Sequence, residues 1–319
     1  MTKRRLIGTD EAGYGPNLGP LVVAGTLWEV PDDLNPMDLW ESLQSVLTCA
    51  PERNDRRLHV ADSKAVYSAN RSLEDLEVPV LAFLGSLGCA AETLDSLGEQ
   101  LAGAAFRDAY QAEVWNAAPG LSLPAASSAE HIQEWQHELH KEMQAAEVRL
   151  LAVRTAIVFP RQFNTLVDTA GSKGAVLSET TLRLVAELMA VGPTDQATLV
   201  VCDKHGGRNR YDEVIASQFD DEFVFRLEES REMSRYRMGR TEFCFRTKAE
   251  ELLPVALSSM IAKYLREVLM RQFNLYWGQR IPGLRPTQGY PVDARRFRDE
   301  ISESFALLGI SEADLWRNR

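Results

Sequence analysis

The sequence predicts an α/β protein whose central mixed β-sheet is flanked by helices and interrupted by a helical insertion. Two apolar segments near the start, separated by the glycine- and proline-rich stretch 12–20, predict a β-hairpin. The short and almost wholly apolar segment 197–202 predicts a central strand that helices cover on both faces. Apolar residues recur at helical spacing over about 91–117 and 128–149, which predicts the helical insertion.

The other elements follow in chain order from periodicity and from the positions of proline and glycine. We expect a single domain over 1–319, with the insertion at about 88–149. The expected strands are 6–9, 21–28, 153–159, 197–202, 222–227 and 241–247. The expected helices outside the insertion are 176–191, 251–275 and 293–308.

The composition is that of an ordinary globular protein. With 45% hydrophobic and 25% charged residues over 319 positions, it is typical of a soluble globular protein. It has no run of about 18 apolar residues and no signal-peptide core near the start, so we expect a cytoplasmic protein without a membrane segment. The four cysteines occur singly, which argues against a disulfide framework and a zinc site.

The charge is segregated along the chain. The net charge of -11 argues against nucleic-acid binding, which depends on Lys and Arg. However, 91–150 holds ten acids against three Lys or Arg, whereas 263–298 holds eight Lys or Arg against two acids. The simpler interpretation is a solvated acidic helical segment beside an ordinary basic surface. The acidic insertion is also a candidate surface for a protein partner.

Two adjacent carboxylates, Asp10 and Glu11, stand at the end of the first predicted strand, just before Gly13. Adjacent strand residues normally face opposite sides of a sheet, so both reach one site only where the strand ends or twists. The glycine-rich turn provides that circumstance and lets a ligand approach the backbone closely. The alternative interpretation is a solvated pair of acids that opens a turn.

A third carboxylate, Asp203, ends the apolar strand 197–202. Active-site residues of open α/β sheets commonly occupy this position, where the side chain faces a crevice. The alternative is an N-cap or turn residue for a helix that starts near Asn209. His205, two residues further on, is either a group that assists proton transfer or an ordinary turn histidine.

The fourth candidate, Glu267, lies on the predicted helix 251–275 beside an apolar stripe. At 100° per residue it is about 20° from Met260, so it borders the buried face of the helix. The alternative is a surface salt bridge with Lys263.

Converging carboxylates of this kind would suit two hard divalent cations, Mg²⁺ or Mn²⁺, which prefer oxygen ligands. Such ions activate a water molecule and stabilise the leaving oxygen in a displacement at phosphorus.

The motifs that surround these acids are Gly8-Thr9-Asp10-Glu11-Ala12-Gly13-Tyr14-Gly15-Pro16, Asp62-Ser63-Lys64, Val201-Cys202-Asp203, Lys248-Ala249-Glu250, Ser258-Ser259-Met260-Ile261-Ala262-Lys263 and Gly289-Tyr290-Pro291. Taken in order, they resemble the type 2 ribonuclease H family, which includes ribonucleases HII and HIII. The resemblance covers roughly 5–30, 58–85 and 150–308 and leaves 31–57 and 88–149 as additions.

The resemblance implies a ribonuclease H-like fold and a metal-dependent endonuclease. Its substrate would be the RNA strand of RNA/DNA hybrids, or ribonucleotides embedded in duplex DNA, cut to 5′-phosphate and 3′-hydroxyl ends. It implies that Asp10, Glu11, Asp203 and Glu267 bind two Mg²⁺ or Mn²⁺ ions. Glutamate in the fourth place is typical of type HIII, but none of the motifs corresponds to the N-terminal substrate-binding domain typical of that type.

Substrate contacts are implied for a second set of residues, Gly13, Tyr14, Gly15, Lys64, Lys248 and Tyr290. The family has a basic residue between the two glycines, where this chain has Tyr14. The glycine backbone can still bind a ribose 2′-hydroxyl, the group that distinguishes RNA from DNA. Tyr290 matches a tyrosine that stacks near the RNA-DNA junction in type HII, and the two lysines are candidate phosphate contacts.

Three alternatives stay open at this stage. One is a nucleic-acid-binding protein of the same fold without catalysis, and another is a nuclease of this fold with a different nucleic-acid target. The third is a sugar or acetate kinase of related fold, against which the absence of a glycine-rich nucleotide loop argues.

Overall fold

A computed structural model gives the structure of residues 2–67, 72–117, 120–193, 195–206, 208–219 and 223–317. In chain order the strands are β1 (Lys3–Ala12), β2 (Leu21–Pro31), β3 (Leu47–Thr48), β4 (Leu58–His59), β5 (Arg149–Val158), β6 (Thr198–Asp203), β7 (Phe225–Glu229), β8 (Met233–Met238) and β9 (Thr241–Arg246). Seven of them form one sheet in the order β5-β2-β1-β6-β9-β8-β7, and β3 pairs with β4 separately.

The sheet is mixed. Strands β5, β2 and β1 pair antiparallel, as do β9, β8 and β7. The two halves meet at β6, which is parallel to both β1 and β9. The carboxyl ends of these three central strands therefore lie at the same edge of the sheet.

The helices surround this sheet. They are α1 (Leu39–Ser42), α2 (Ser63–Val66), α3 (Glu74–Ser86), α4 (Leu94–Ala102), α5 (Ala104–Ala112), α6 (Ala129–Ala145), α7 (Pro160–Ala170), α8 (Lys173–Met189), α9 (Asp212–Ala216), α10 (Leu253–Arg280), α11 (Pro291–Ile301), α12 (Glu303–Leu308) and α13 (Glu312–Leu315). Short 3-10 turns occupy Pro36–Asp38, Val114–Asn116 and Ala249–Glu251.

Two glycines allow helices to approach the two faces of the β1-β2 hairpin closely. On one face, a β-carbon at Gly8 would lie 2.4 Å from the carbonyl carbon of Pro254 in α10. On the other face, a β-carbon at Gly25 would lie 2.7 Å from a methyl group of Leu188 in α8. Small residues at these two positions thus set the distance between sheet and helix, and α10 is held against the strand that carries Asp10.

The helices of the insertion extend the layer formed by α10. Helix α3, which precedes the insertion, lies in this layer as well, because its Phe83 packs edge-on against Trp28 of β2 with ring centroids 5.9 Å apart. Leu97 of α4 and Leu139 of α6 are fully buried in the same hydrophobic core as Leu257 of α10. The described part of the predicted insertion therefore packs on the rest of the protein through apolar contacts.

The predicted fold class is confirmed, since a mixed sheet is flanked by helices and the two long helical stretches fall at α4–α5 and α6. Several boundaries differ. The strand expected at 222–227 is β7 (Phe225–Glu229), and position 222 lies outside the described residues. The helix expected at 293–308 divides into α11 and α12 at Ser302.

Among the described elements that were not predicted are strand β8 and helices α3 and α7. Strand β8 is obscured by alternating arginines, because only Ser234, Tyr236 and Met238 turn inward. Helix α3 contains Pro79 and is buried on most of its surface, so it lacks a clear amphipathic period. Helix α7 begins at Pro160, which ends β5 as expected but also occupies a first-turn position where proline is favourable.

None of the helices in the described residues is both long and apolar enough to cross a membrane.

Candidate functional site

Three of the four predicted carboxylates meet at the carboxyl edge of the central strands. The last parallel pair between β1 and β6 is Thr9 with Cys202, so Asp10 and Asp203 follow it on adjacent strands. Glu11 is the next residue of β1. Asp203 is the last residue of β6, whereas the next helix begins at Asp212, so Asp203 is not a helix cap.

The titration of these acids reflects their crowding. Burial and the neighbouring Glu11 carboxylate raise the pKa of Asp10 well above its ordinary value, although a hydrogen bond from Ser259 of α10 opposes the shift. Burial and the charge of Asp203 raise the pKa of Glu11 to about 7, and nearby Lys64 opposes this change. The three acids therefore form a group of mutually repelling, partly desolvated carboxylates.

A fifth carboxylate, Glu250, adjoins this group. Burial raises the pKa of Asp203, and the charge of Glu250 is the next largest cause. Glu250 lies in the 3-10 turn that directly follows β9, the strand parallel to β6. Its motif is visible in the sequence, but its position beside Asp203 follows only from that parallel pairing.

Lys64 is held close to the carboxylates by α2. The side chain of Asp62 caps this helix by accepting a hydrogen bond from the Lys64 backbone N–H at 3.1 Å. The Ser63 backbone N–H donates to Oγ of Ser259 at 3.2 Å, and the hydroxyl oxygens of the two serines lie 3.1 Å apart. The Lys64 charge acts on both Glu11 and Asp203.

Glu267 has different neighbours. Its carboxylate accepts hydrogen bonds from Lys263 Nζ at 2.5 Å and from the Tyr67 hydroxyl at 3.3 Å. Burial and the Glu267 charge raise the pKa of Tyr67 to about 12, so this hydroxyl remains a donor. The Lys263 pairing suggested by the alternative interpretation is thus present, but the carboxylate is only 9% exposed and the pair is not a surface salt bridge.

The side chains of the described residues do not form a complete metal-binding site. In the part of the chain described, no three His, Cys, Asp or Glu residues are arranged to hold a metal ion. The acids nevertheless lie close enough to raise one another's pKa values. A cation would relieve this repulsion, and carboxylate oxygens are the ligands that hard divalent cations prefer.

The glycine loop 13–19 follows directly on the acids. Gly13 has a φ of +89°, and a β-carbon there would lie 2.5 Å from the Pro20 carbonyl oxygen and 2.6 Å from Nε of Arg266. Glycine is therefore required at position 13. In contrast, a β-carbon at Gly15 would meet no atom within 4 Å, and Gly15 is exposed.

Tyr14 turns its ring away from the exposed side of this loop. Its hydroxyl lies against Gly206 in the turn after β6, where a β-carbon would be 3.2 Å away. Burial and the charge of Glu11 raise the pKa of Tyr14. The phenol therefore lies near the carboxylate group.

The other predicted substrate residues surround the loop and the acids. Tyr290 is 51% exposed and caps α11. The carbonyl oxygen of Gly289 before it accepts hydrogen bonds from the backbone N–H groups of Asn17 at 2.8 Å and Leu18 at 3.2 Å, which ties Tyr290 to the glycine loop. Lys248 is exposed, with a φ of +57°, immediately before the turn that carries Glu250.

His205 is a buried structural residue. Its Nδ1 lies 3.0 Å from Oγ of Ser178, and its backbone N–H donates to the Tyr211 hydroxyl at 3.0 Å. Burial lowers the pKa of His205 to about 3, so its ring stays neutral. This geometry agrees with the interpretation of an ordinary turn histidine.

Comparisons with known proteins identify similar folds. No family model and no curated protein matches the chain. Among solved structures, the fold is similar to ribonuclease H2 from Pyrococcus horikoshii OT3, with 14% identity, a TM-score of 0.46 and coverage of 98% of this chain and 92% of that one. It is also similar to ribonuclease HII of Archaeoglobus fulgidus, solved in complex with PCNA, with 15% identity, a TM-score of 0.43 and coverage of 98% and 94%.

A third similar structure is Bst-RNase HIII in complex with Mn²⁺, with 14% identity and a TM-score of 0.44. The match covers 98% of this chain and 66% of that one. The three structures are of ribonucleases H2, HII and HIII.

Proposed function

We propose that this chain is a metal-dependent endonuclease that hydrolyses the RNA strand of RNA/DNA hybrids or ribonucleotides embedded in duplex DNA. The observation that supports this most directly is the meeting of Asp10, Glu11 and Asp203 at one edge of the sheet, beside the glycine loop with its exposed Gly15. Such a group of repelling carboxylates costs folding energy, which is expected when the acids serve a ligand.

Asp10, Glu11 and Asp203 would hold divalent cations, Mg²⁺ or Mn²⁺, and Glu267 would join them once its carboxylate is released from Lys263. When bound, the ions lower the pKa of the attacking water and stabilise the leaving 3′ oxygen. Ser259 orients Asp10 through its hydrogen bond. Lys64 balances part of the negative charge of Glu11 and Asp203 and lies where a phosphate would approach.

The glycine loop and Tyr290 would bind the nucleic acid beside these acids. Gly15 leaves open space where a ribose and its phosphate can approach the backbone. A backbone N–H can donate to a 2′-hydroxyl, which provides selection for RNA without a basic side chain. The half-exposed ring of Tyr290, fixed to the loop through Gly289, offers a surface for stacking. Lys248 would contact a phosphate.

The experiment compares the protein with the isosteric variant Asp10→Asn and with Asp168→Asn, which changes an exposed acid on α7. Each is incubated with Mg²⁺ or Mn²⁺ and three duplexes: DNA with one ribonucleotide, an RNA/DNA hybrid and plain DNA. We expect cuts at ribonucleotides for the protein and Asp168→Asn, and none for Asp10→Asn.

Two outcomes would reject the proposal. Equal cutting of plain DNA, lost in Asp10→Asn, would indicate a nuclease of this fold with a different target. Binding of the duplexes with no cutting under either metal would indicate a nucleic-acid-binding protein without catalysis.

A further inference from the structure

Two arginines lie directly beneath the glycine loop. Arg317 follows α13 and is 0% exposed, and Arg266 on α10 is 1% exposed. Fully buried arginines are uncommon, because the guanidinium group loses its hydration. Their position therefore calls for a physical reason.

The contacts of Arg317 are with the backbone of the loop. Its Nη2 donates hydrogen bonds to the carbonyl oxygens of Gly13 and Pro16. Its backbone N–H donates to the Asn17 carbonyl oxygen at 2.9 Å, and the Asn17 side-chain amide donates to the Arg317 carbonyl oxygen at 3.3 Å. The C-terminal segment is thus joined to the loop by four hydrogen bonds.

Arg266 holds the far side of the same loop. Its Nη2 donates to the carbonyl oxygens of Leu18 at 3.2 Å and Gln288 at 3.0 Å. Gln288 precedes Gly289, so this arginine connects the loop with the segment that carries Tyr290.

These bonds fix which backbone groups face outward. In a planar trans peptide the carbonyl and the N–H of the same unit point in opposite directions. Because the Gly13 carbonyl oxygen is directed at Arg317, the Tyr14 N–H is directed away from it. Next to this donor, Gly15 is exposed and has open space at its β-carbon position. Arg317 therefore aims a backbone donor away from the protein interior.

The arginines also place positive charge beneath the loop. Burial and the charge of Arg266 lower the pKa of Arg317 to about 9, which leaves it protonated at neutral pH. Its guanidinium stacks over the Phe163 ring at 4.7 Å, and its Nη1 and Nε have no hydrogen-bond partner within the described residues. Glu267 offsets part of the Arg266 charge. A buried charge is screened less by salt than an exposed one.

We propose that Arg317 is a positioning residue for nucleic-acid binding. It turns the loop carbonyls inward, directs the Tyr14 N–H toward the phosphodiester backbone, and adds positive potential beneath a loop whose own side chains carry none. This inference rests on the proposed function, because it takes the loop as the binding surface. It assigns a role to the C-terminal segment, which none of the sequence motifs includes.

The test measures the dissociation constant of an RNA/DNA hybrid in EDTA, so that binding is separated from cleavage. Arg317→Met removes the charge and the donors, whereas Arg317→Lys keeps the charge. The matched control is Arg298→Met, because Arg298 lies 4.9 Å from the Trp316 ring and pairs with Glu312 at 3.0 Å, while its other ion pair is with the neighbouring Asp299 rather than with the glycine loop. We expect binding about tenfold weaker for Arg317→Met, an intermediate loss for Arg317→Lys and no change for Arg298→Met.

Equal binding by folded Arg317→Met and the protein would overturn the inference, as would an equal loss in Arg298→Met. If Arg317→Met does not fold, Asn17→Ala replaces it, because it removes only the side-chain bond to the Arg317 carbonyl oxygen. A smaller loss of binding is then expected, and unchanged binding overturns the inference.

The two proposals fail in different ways. If the protein binds the hybrid but cuts nothing with Mg²⁺ or Mn²⁺, the proposed function fails and the role of Arg317 is still decided by the variants. If the protein cuts but Arg317→Met binds normally, only the inference fails. If the protein binds no duplex, both fail.

Discussion

Lys263 and Glu267 form a nearly buried ion pair within one helix, with Nζ 2.5 Å from Oε1 and side-chain exposures of 14% and 9%. The Tyr67 hydroxyl adds a second donor to the same carboxylate. Removing one partner of such a pair is costly, because the remaining charge loses its compensation in a poorly hydrated place. In the proposed enzyme, Lys263 therefore occupies the carboxylate that a cation would use.

Lys263→Met is expected to destabilise the metal-free protein by about 3 kcal/mol and to increase the stabilisation by added Mg²⁺. The reason is that Glu267 then lacks its internal counter-charge and gains more from a cation. Thermal unfolding in EDTA and in Mg²⁺ measures both effects. An Mg²⁺-induced rise in Tm equal to that of the unchanged protein would contradict a role of Glu267 in metal binding.

Glu11→Gln is expected to stabilise the metal-free protein at pH 8 by about 2 kcal/mol while it reduces cleavage. The folded state holds the proton of Glu11 up to a pKa of about 7, against 4.5 for an ordinary glutamate. Between these values the folded state binds more protons than the unfolded state, so stability falls as pH rises. Urea unfolding in EDTA should show the advantage of the variant at pH 8 and little advantage at pH 4.

Gly13→Ala and Gly15→Ala should affect different properties, the first stability and the second binding. The added methyl group at position 13 meets Pro20 and Arg266 at a φ of +89°, so we expect a loss of about 2–3 kcal/mol in the free energy of unfolding. At position 15 it meets nothing within 4 Å, so stability should change little while binding of an RNA/DNA hybrid weakens. Equal stability of the two variants would be inconsistent with the described loop geometry.

Glu113→Gln is expected to stabilise the protein by about 2 kcal/mol at pH 8.5 without changing cleavage. Burial, with the charge of Asp314, raises the pKa of Glu113 to about 8, although Arg161 opposes the shift. The folded state keeps this proton between pH 4.5 and about 8, so stability falls across that range as pH rises. Glu138→Gln, on the exposed side of α6, is the control and should not stabilise the protein at pH 8.5.

The sequence by itself determined the helices and strands that are encoded by local hydrophobic periodicity and by the positions of glycine and proline. Two apolar segments with a glycine- and proline-rich stretch between them predicted β1 and β2, the apolar run 197–202 predicted β6, and the apolar stripe around Met260 predicted α10. The strand ends then led directly to Asp10, Glu11 and Asp203, because residues at the carboxyl ends of parallel strands share one edge of the sheet.

Only the tertiary structure decided which distant groups meet these residues. Glu250 adjoins Asp203 because β9 pairs with β6. Arg317 reaches Gly13 across 304 positions of sequence. Residue spacing along the chain does not encode such contacts. The neighbours of a buried charged group come together only when the chain folds, and they come from positions far apart in the sequence.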